Sequence, residues 1–122
     1  IKLYLQLVRN GTDNQKAAAT KALGYLVLGN PGTQTAIARA GAIHLLLELV
    51  RNGTDDQKSN AVTALATLAN QNQPIQGAIA AAGGIELFVE LLGAGTDQQI
   101  ERATWALAAL SERNEANRMA VT

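Results

Sequence analysis

Apolar residues recur along the chain at helical spacing, and that spacing recurs at a longer period. After Thr54 they fall at Ala61, Val62, Ala64, Leu65, Leu68 and Ala69, the i, i+3, i+4, i+7 stripe of an amphipathic helix. This pattern predicts long helices over about 12–28, 54–70 and 96–112. Ahead of each, a segment such as Ile43, Leu45, Leu46, Leu47, Leu49 and Val50 is apolar nearly all round, which suits a helix sandwiched inside a stack. Helices over about 1–9, 43–51 and 85–93 follow. A third, shorter helix is expected after Asn30-Pro31 and after Asn72-Gln73-Pro74, where proline fits a first turn. Gly41 and Gly83 are its expected stops.

Sliding the sequence against itself gives one dominant offset of 42 residues. Ile1, Ile43 and Ile85 align, as do Leu3, Leu45 and Leu87; Leu7, Leu49 and Leu91; and Ala22, Ala64 and Ala106. A fixed period of this size signals a solenoid or array in which each unit buries its apolar face only against its neighbours. The units are 1–42, 43–84 and an incomplete 85–122, within one repeat domain covering 1–122.

Thr12-Asp13-Asn14-Gln15, Thr54-Asp55-Asp56-Gln57 and Thr96-Asp97-Gln98-Gln99 each match the T-x-x-Q capping box, with Asp placed to complement the helix dipole. Gly11, Gly53 and Gly95 precede the boxes and are expected to take the positive φ that ends the helix before. Runs of β-branched residues alternating with polar ones, which strands require, are missing, so the fold class is all-α.

The residues that carry this pattern resemble the armadillo repeat. Ala42-Ile43-His44-Leu45-Leu46-Leu47-Glu48-Leu49-Val50-Arg51-Asn52-Gly53 is similar to that family's second helix, and Ala103-Thr104-Trp105-Ala106-Leu107-Ala108-Ala109-Leu110 to its third. The resemblance covers essentially the whole chain, with HEAT-type repeats as the nearest competitor. It implies a right-handed α-solenoid, a superhelix of three-helix repeats whose third helices line a concave groove for extended peptides or protein surfaces. Family members carry an Asn on the third helix that bonds a peptide backbone, with a Trp one turn earlier. Here the Asn position holds Tyr25, Thr67 and Ala109, and the Trp position holds Lys21, Thr63 and Trp105. The chain therefore departs from the family at its peptide-holding position and matches the Trp only in the last unit.

Helical projection gathers the positions near that site into one stripe expected to be exposed: Asn14, Ala18, Lys21 and Tyr25; Asp56, Asn60, Thr63 and Thr67; Gln98, Arg102, Trp105 and Ala109. Lys21, Tyr25, Asn60, Thr63, Thr67, Arg102, Trp105 and Ala109 are the expected binding residues. Trp105 beside Arg102 and Tyr25 beside Lys21 are the natural anchors, because Trp, Tyr and Arg dominate binding hot spots. The alternative for Trp105 is packing between adjacent units.

Other chemistry is thin. The chain has no cysteine, ten basic and ten acidic residues, and four aromatics, which argues against thiol chemistry and against a broad grip on nucleic acid or membrane. His44 is the only histidine, and Lys2 and Glu86 at its repeat positions mark it as solvent-facing. Asp55-Asp56 sits in a helix first turn, and Glu86 with Glu90 is an i, i+4 surface pair; neither suggests acid-base catalysis. Gly83-Gly84 and Gly93-Ala94-Gly95 lack the strand and the Lys of a phosphate loop and are read as helix ends. Asn10-Gly11-Thr12 and Asn52-Gly53-Thr54 match the glycosylation sequon only as part of the repeated corner.

The expectation is a non-catalytic interaction scaffold, without cofactor or metal, that binds a protein or extended peptide in the cytoplasm or nucleus. The alternative is a structural or engineered repeat segment with no ligand of its own. The start at Ile1 without Met and the stop at Thr122 within an apolar-periodic stretch suggest a piece of a longer parent. Leu3, Leu5, Leu7, Leu23, Leu26, Met119 and Val121 are expected to be bare at the ends and to pair with further repeats or with another copy head to tail.

Overall fold

The computed structural model describes residues 2–112 and 114–121, with side chains described from Leu3 to Met119 apart from residue 113. Ile1 lies outside these residues, as does the side chain of Val121. Helices follow one another in a repeating order: α1 Lys2–Asn10, α2 Asp13–Val27, α3 Pro31–Arg39, α4 Ala42–Asn52, α5 Asp55–Ala69, α6 Gln73–Ala81, α7 Gly84–Ala94, α8 Asp97–Ser111 and α9 Glu115–Val121. Among the described residues there is no strand. The predicted helices are all present, with ends shifted by a residue or two, which is the ordinary spread of helix boundaries.

Each long helix opens on its capping box. Thr12 N donates to Gln15 Oε1 at 2.9 Å while Gln15 N donates to Thr12 Oγ1 at 3.2 Å, and Thr54/Gln57 and Thr96/Gln99 repeat the exchange. The short helices are capped by Asn30 and Asn72, whose Oδ1 atoms accept from Thr33 N and Ile75 N, with proline in the first turn.

The corner glycines differ from expectation. Gly53 and Gly95 have φ of −78° and −82°, and Gly11 is likewise outside the positive-φ region. They are glycine because of proximity: a Cβ would stand 2.6, 2.5 and 2.7 Å from the carbonyl oxygens of Leu7, Leu49 and Leu91, the same oxygens that accept each glycine N–H. Positive φ falls instead at Gly41 and Gly83, both at 94°, where the short helix stops and the next begins. Gly84 and Gly93 lie inside α7 and end no helix.

Long helices α2, α5 and α8 lie side by side, and α1, α4 and α7 pack behind them. One apolar cluster runs through the stack, with Leu23, Ile37, Leu46, Leu65, Leu68, Ile79, Phe88 and Leu110 fully buried. The chain is thus an all-α helical repeat in which helices 42 residues apart stack on one another. The register is kept, but burial depends on position in the stack. Leu49 and Leu91 are buried, while Leu7, in the first of the described units, is partly exposed, as are Leu3, Tyr4 and Leu26. Val89, Leu92 and Met119 are exposed at the other end. Leu5 and Leu23, expected to be bare, are buried because they face inward against the second unit. Among the described residues no single helix is long and apolar enough to cross a membrane; α6 and α7 together have the composition but are bent by 72° at their junction.

Candidate binding groove

The open faces of α2, α5 and α8 form a trough of about 430 Å³. Its floor is made of small residues. Gly24 brings α2 close enough to α5 that a Cβ there would lie 3.6 Å from Ala64 Cα. Thr67 Oγ1 donates to the carbonyls of Thr63 and Ala64, turning its hydroxyl back on its own helix. The walls carry the large side chains: Tyr25 on α2 is 70% exposed, and Trp105 on α8 is 45% exposed. Trp105 therefore keeps nearly half of its surface open and lines the trough.

Of the eight residues expected to bind, seven line this trough: Lys21, Tyr25, Asn60, Thr63, Thr67, Arg102 and Trp105. Ala109 does not. It is 6% exposed and contributes to a separate shallow hollow beside Trp105. Thr67, at 5% exposure, belongs to the floor, so the expected exposed stripe is in fact a floor and two walls. The reason is the stack: the middle helix is flanked on both sides, and the outer helices are not. Gln98, also on the projected stripe, lines the trough as well, while Thr20, Gly24, Leu28 and Ala64 complete the lining and were missed by projection. Leu28 continues the step of three from Tyr25, and the others are small residues whose role is to be absent.

Two hydrogen bonds made by residues of the lining link the groove helices. Arg102 Nη1 donates to Thr63 Oγ1 at 2.7 Å, tying α8 to α5, and Asn60 Nδ2 donates to Ala17 O at 3.1 Å, tying α5 to α2. Asn60 thus helps hold the groove together as well as lining it. Lys21 and Arg102 are the charged residues of the lining, and no acidic residue lines it among the described residues. His44 is exposed on α4, outside the trough, and the described residues hold no group of three or more metal-ligating side chains.

A second set of polar contacts, made by glutamines that do not line the trough, escaped the sequence reading. The capping glutamines have two functions. Gln57 Nε2 donates to the carbonyl and carboxylate of Asp13 at 3.1 and 3.2 Å, and Gln99 Nε2 does the same with Asp55 at 3.3 and 3.2 Å. Gln34, also buried, donates from Nε2 to Thr67 O at 3.0 Å and to Asn70 O at 3.4 Å, while its Oε1 accepts from Asn72 Nδ2. These bonds fix the level at which one long helix sits against the next, and so the level at which groove residues meet. Polar residues spaced by the repeat were the available signal.

No protein-family model matches the chain, and no curated protein does. Two solved structures, each described as that of an engineered protein, are similar to it. One has a TM-score of 0.91 at 24% identity, covering 97% of this chain and 48% of its own. The other has a TM-score of 0.81 at 26% identity, covering 87% of this chain and 26% of its own. The chain thus spans less than half the length of either, and the likeness shows the fold.

Proposed function

We propose that the chain is a right-handed superhelix of armadillo-type repeats that serves as a non-catalytic protein-interaction scaffold. It holds an extended peptide or partner surface in the groove of α2, α5 and α8, in the cytoplasm or nucleus. The observation that carries this reading is the trough itself: Tyr25 and Trp105 stand exposed on opposite walls, two units apart, over a floor of small residues. Large amphipathic rings flanking a shallow channel are the residue types that dominate binding energy. Tyr25, Thr67 and Ala109 stand where the resembled family keeps its Asn, so recognition here goes through rings and charges.

The test is selection from a random peptide display library, followed by affinity measurements on wild type, Tyr25→Ala and Trp105→Ala. Selected peptides are expected to lose about tenfold or more in affinity with either substitution. Peptides that bind both variants as well as wild type would show that the trough is not the site.

A second reading, self-association through the end faces, is favoured by the polar staples. Gln15 holds the position of Gln57 and Gln99 but has no Asp across from it, and Asp97 holds that of Asp13 and Asp55 with no Gln across from it, among the described residues. These halves are complementary, and exposed Leu3 and Leu7 at one end and Val89 and Leu92 at the other flank them. Light scattering over a concentration series distinguishes the readings: a strict monomer at high concentration eliminates this one.

A further inference from the structure

Resting on the groove reading above, we infer that the segment bound there is acidic and alternating: an extended peptide whose Asp or Glu side chains point to one side and apolar side chains to the other. The trough is built in two rows. Along one, Lys21 on α2 and Arg102 on α8 flank Asn60 and Thr63 on α5. One turn further along the same helices, Tyr25 and Trp105 flank Ala64 and Thr67. In the 42-residue register Lys21 is level with Thr63 and Trp105, and Arg102 with Asn60, so both rows slant by about one turn across the three units and stay parallel, with the Asn60–Ala17 and Arg102–Thr63 hydrogen bonds tying the helices together. One side of the channel is cationic and the other aromatic.

Among the described residues neither Lys21 nor Arg102 makes an ion pair. Arg102 is half-buried, and the hydrogen bond from its guanidinium goes to the neutral Thr63 hydroxyl, which itself donates to Ser59 O at 3.0 Å. The only ion pair among the described residues is Arg51 with Glu48, on a different helix. A guanidinium has five donors in a fixed fork, and a partly desolvated one favours a carboxylate that completes its bonding. The acids of the groove helices lie elsewhere: Asp13, Asp55, Asp56 and Asp97 in the first turns, and Glu101 on the face of α8 that borders Arg102 outside the trough.

An extended chain matches this layout. Its successive side chains point to opposite sides, and those on one side repeat every ~7 Å. Lying across the three helices, such a chain sends alternate residues to the Lys21–Arg102 row and the others to the Tyr25–Trp105 row. Acid-apolar alternation fills both rows at once. Basic or uniformly apolar segments leave one row mismatched.

Trp105 is the only tryptophan, so its emission reports occupancy of the site directly. Three peptides of equal length, alternating Glu-Leu, Gln-Leu and Lys-Leu, are titrated at low and at physiological salt, with single-stranded oligothymidylate of matched charge as a fourth probe. The Glu-Leu peptide is expected to bind about tenfold tighter than Gln-Leu and to weaken as salt rises. Lys21→Gln and Arg102→Gln should each reduce that margin several-fold, and Lys21→Glu with Arg102→Glu should shift preference to Lys-Leu, with far-UV circular dichroism unchanged. Should the double variant unfold, Arg102→Lys, which keeps the charge and loses the fork, still tests the guanidinium. Equal binding of Glu-Leu and Gln-Leu overturns the acidic assignment while leaving the groove in place. An equal response to oligothymidylate overturns the peptide assignment, because the site then reads charge alone. No response to any probe defeats both the inference and the groove reading.

Discussion

The two functions assigned to the capping glutamines can be separated by substitution, because the repeat supplies its own control. Gln15, Gln57 and Gln99 all close a capping box, but only Gln57 and Gln99 also reach the preceding unit, at Asp13 and Asp55. Replacing each by Met keeps the methylenes and removes the amide. At Gln15 the loss is the bond from Thr12 N, worth about 0.5–1 kcal/mol. At Gln57 the same loss is joined by two bonds from Nε2, at 3.1 and 3.2 Å, one of them to a carboxylate, on a side chain that is itself buried. Together these add about 2 kcal/mol. Gln57→Met and Gln99→Met should therefore cost about 2 kcal/mol more than Gln15→Met, a gap of roughly 1 M in urea midpoint. Urea unfolding followed at 222 nm, with unchanged slope, measures it. If all three variants shift the midpoint equally, the bonds between units contribute nothing to stability and the levelling of the groove has another origin.

The two kinds of glycine should respond differently. Gly41→Ala forces a side chain into φ of 94° at a cost of roughly 1–2 kcal/mol, which Gly41→Asn should partly relieve. Gly53→Ala should cost roughly 1–3 kcal/mol through collision with Leu49 O, with no relief from Asn, as thermal unfolding would register. Gln34→Met removes a fully bonded buried amide and should cost about 2 kcal/mol. Gln76→Met should cost less than Gln34→Met in the same unfolding assay, because it gives up the buried bond from Nε2 to Ala69 O but also removes an Oε1 buried without a hydrogen-bond partner among the described residues. Phe88→Ala should lose about 3–5 kcal/mol from a fully buried ring. Trp105→Ala, whose ring is 45% exposed, should lower the melting transition less than Phe88→Ala while weakening peptide binding about tenfold or more.

Features encoded within four residues were legible from the chain alone. Thr12, Thr54 and Thr96 with their Gln partners announce helix starts because a capping box closes inside one turn. The apolar stripe of Ala61 to Ala69 announces a buried face because the helical period is a property of the backbone. The 42-residue offset then assigns equivalent places to equivalent residues, which sufficed to name seven of the residues lining the trough. Stacking decided the rest. Whether a leucine in the Leu7, Leu49, Leu91 register is covered depends on what lies beyond it, so only the last two are buried. Thr67 and Ala109 became floor and side hollow because neighbouring helices rise around them, which no single helical projection contains. Gly53 is required by the proximity of Leu49 O, and Gly41 by its φ, a distinction invisible in composition. The second function of Gln57 and Gln99 joins residues 44 apart, and such contacts depend on how helices are levelled in space. Local bonding therefore wrote the helices into the sequence, while burial and the groove's two rows emerged only when three units were laid against one another.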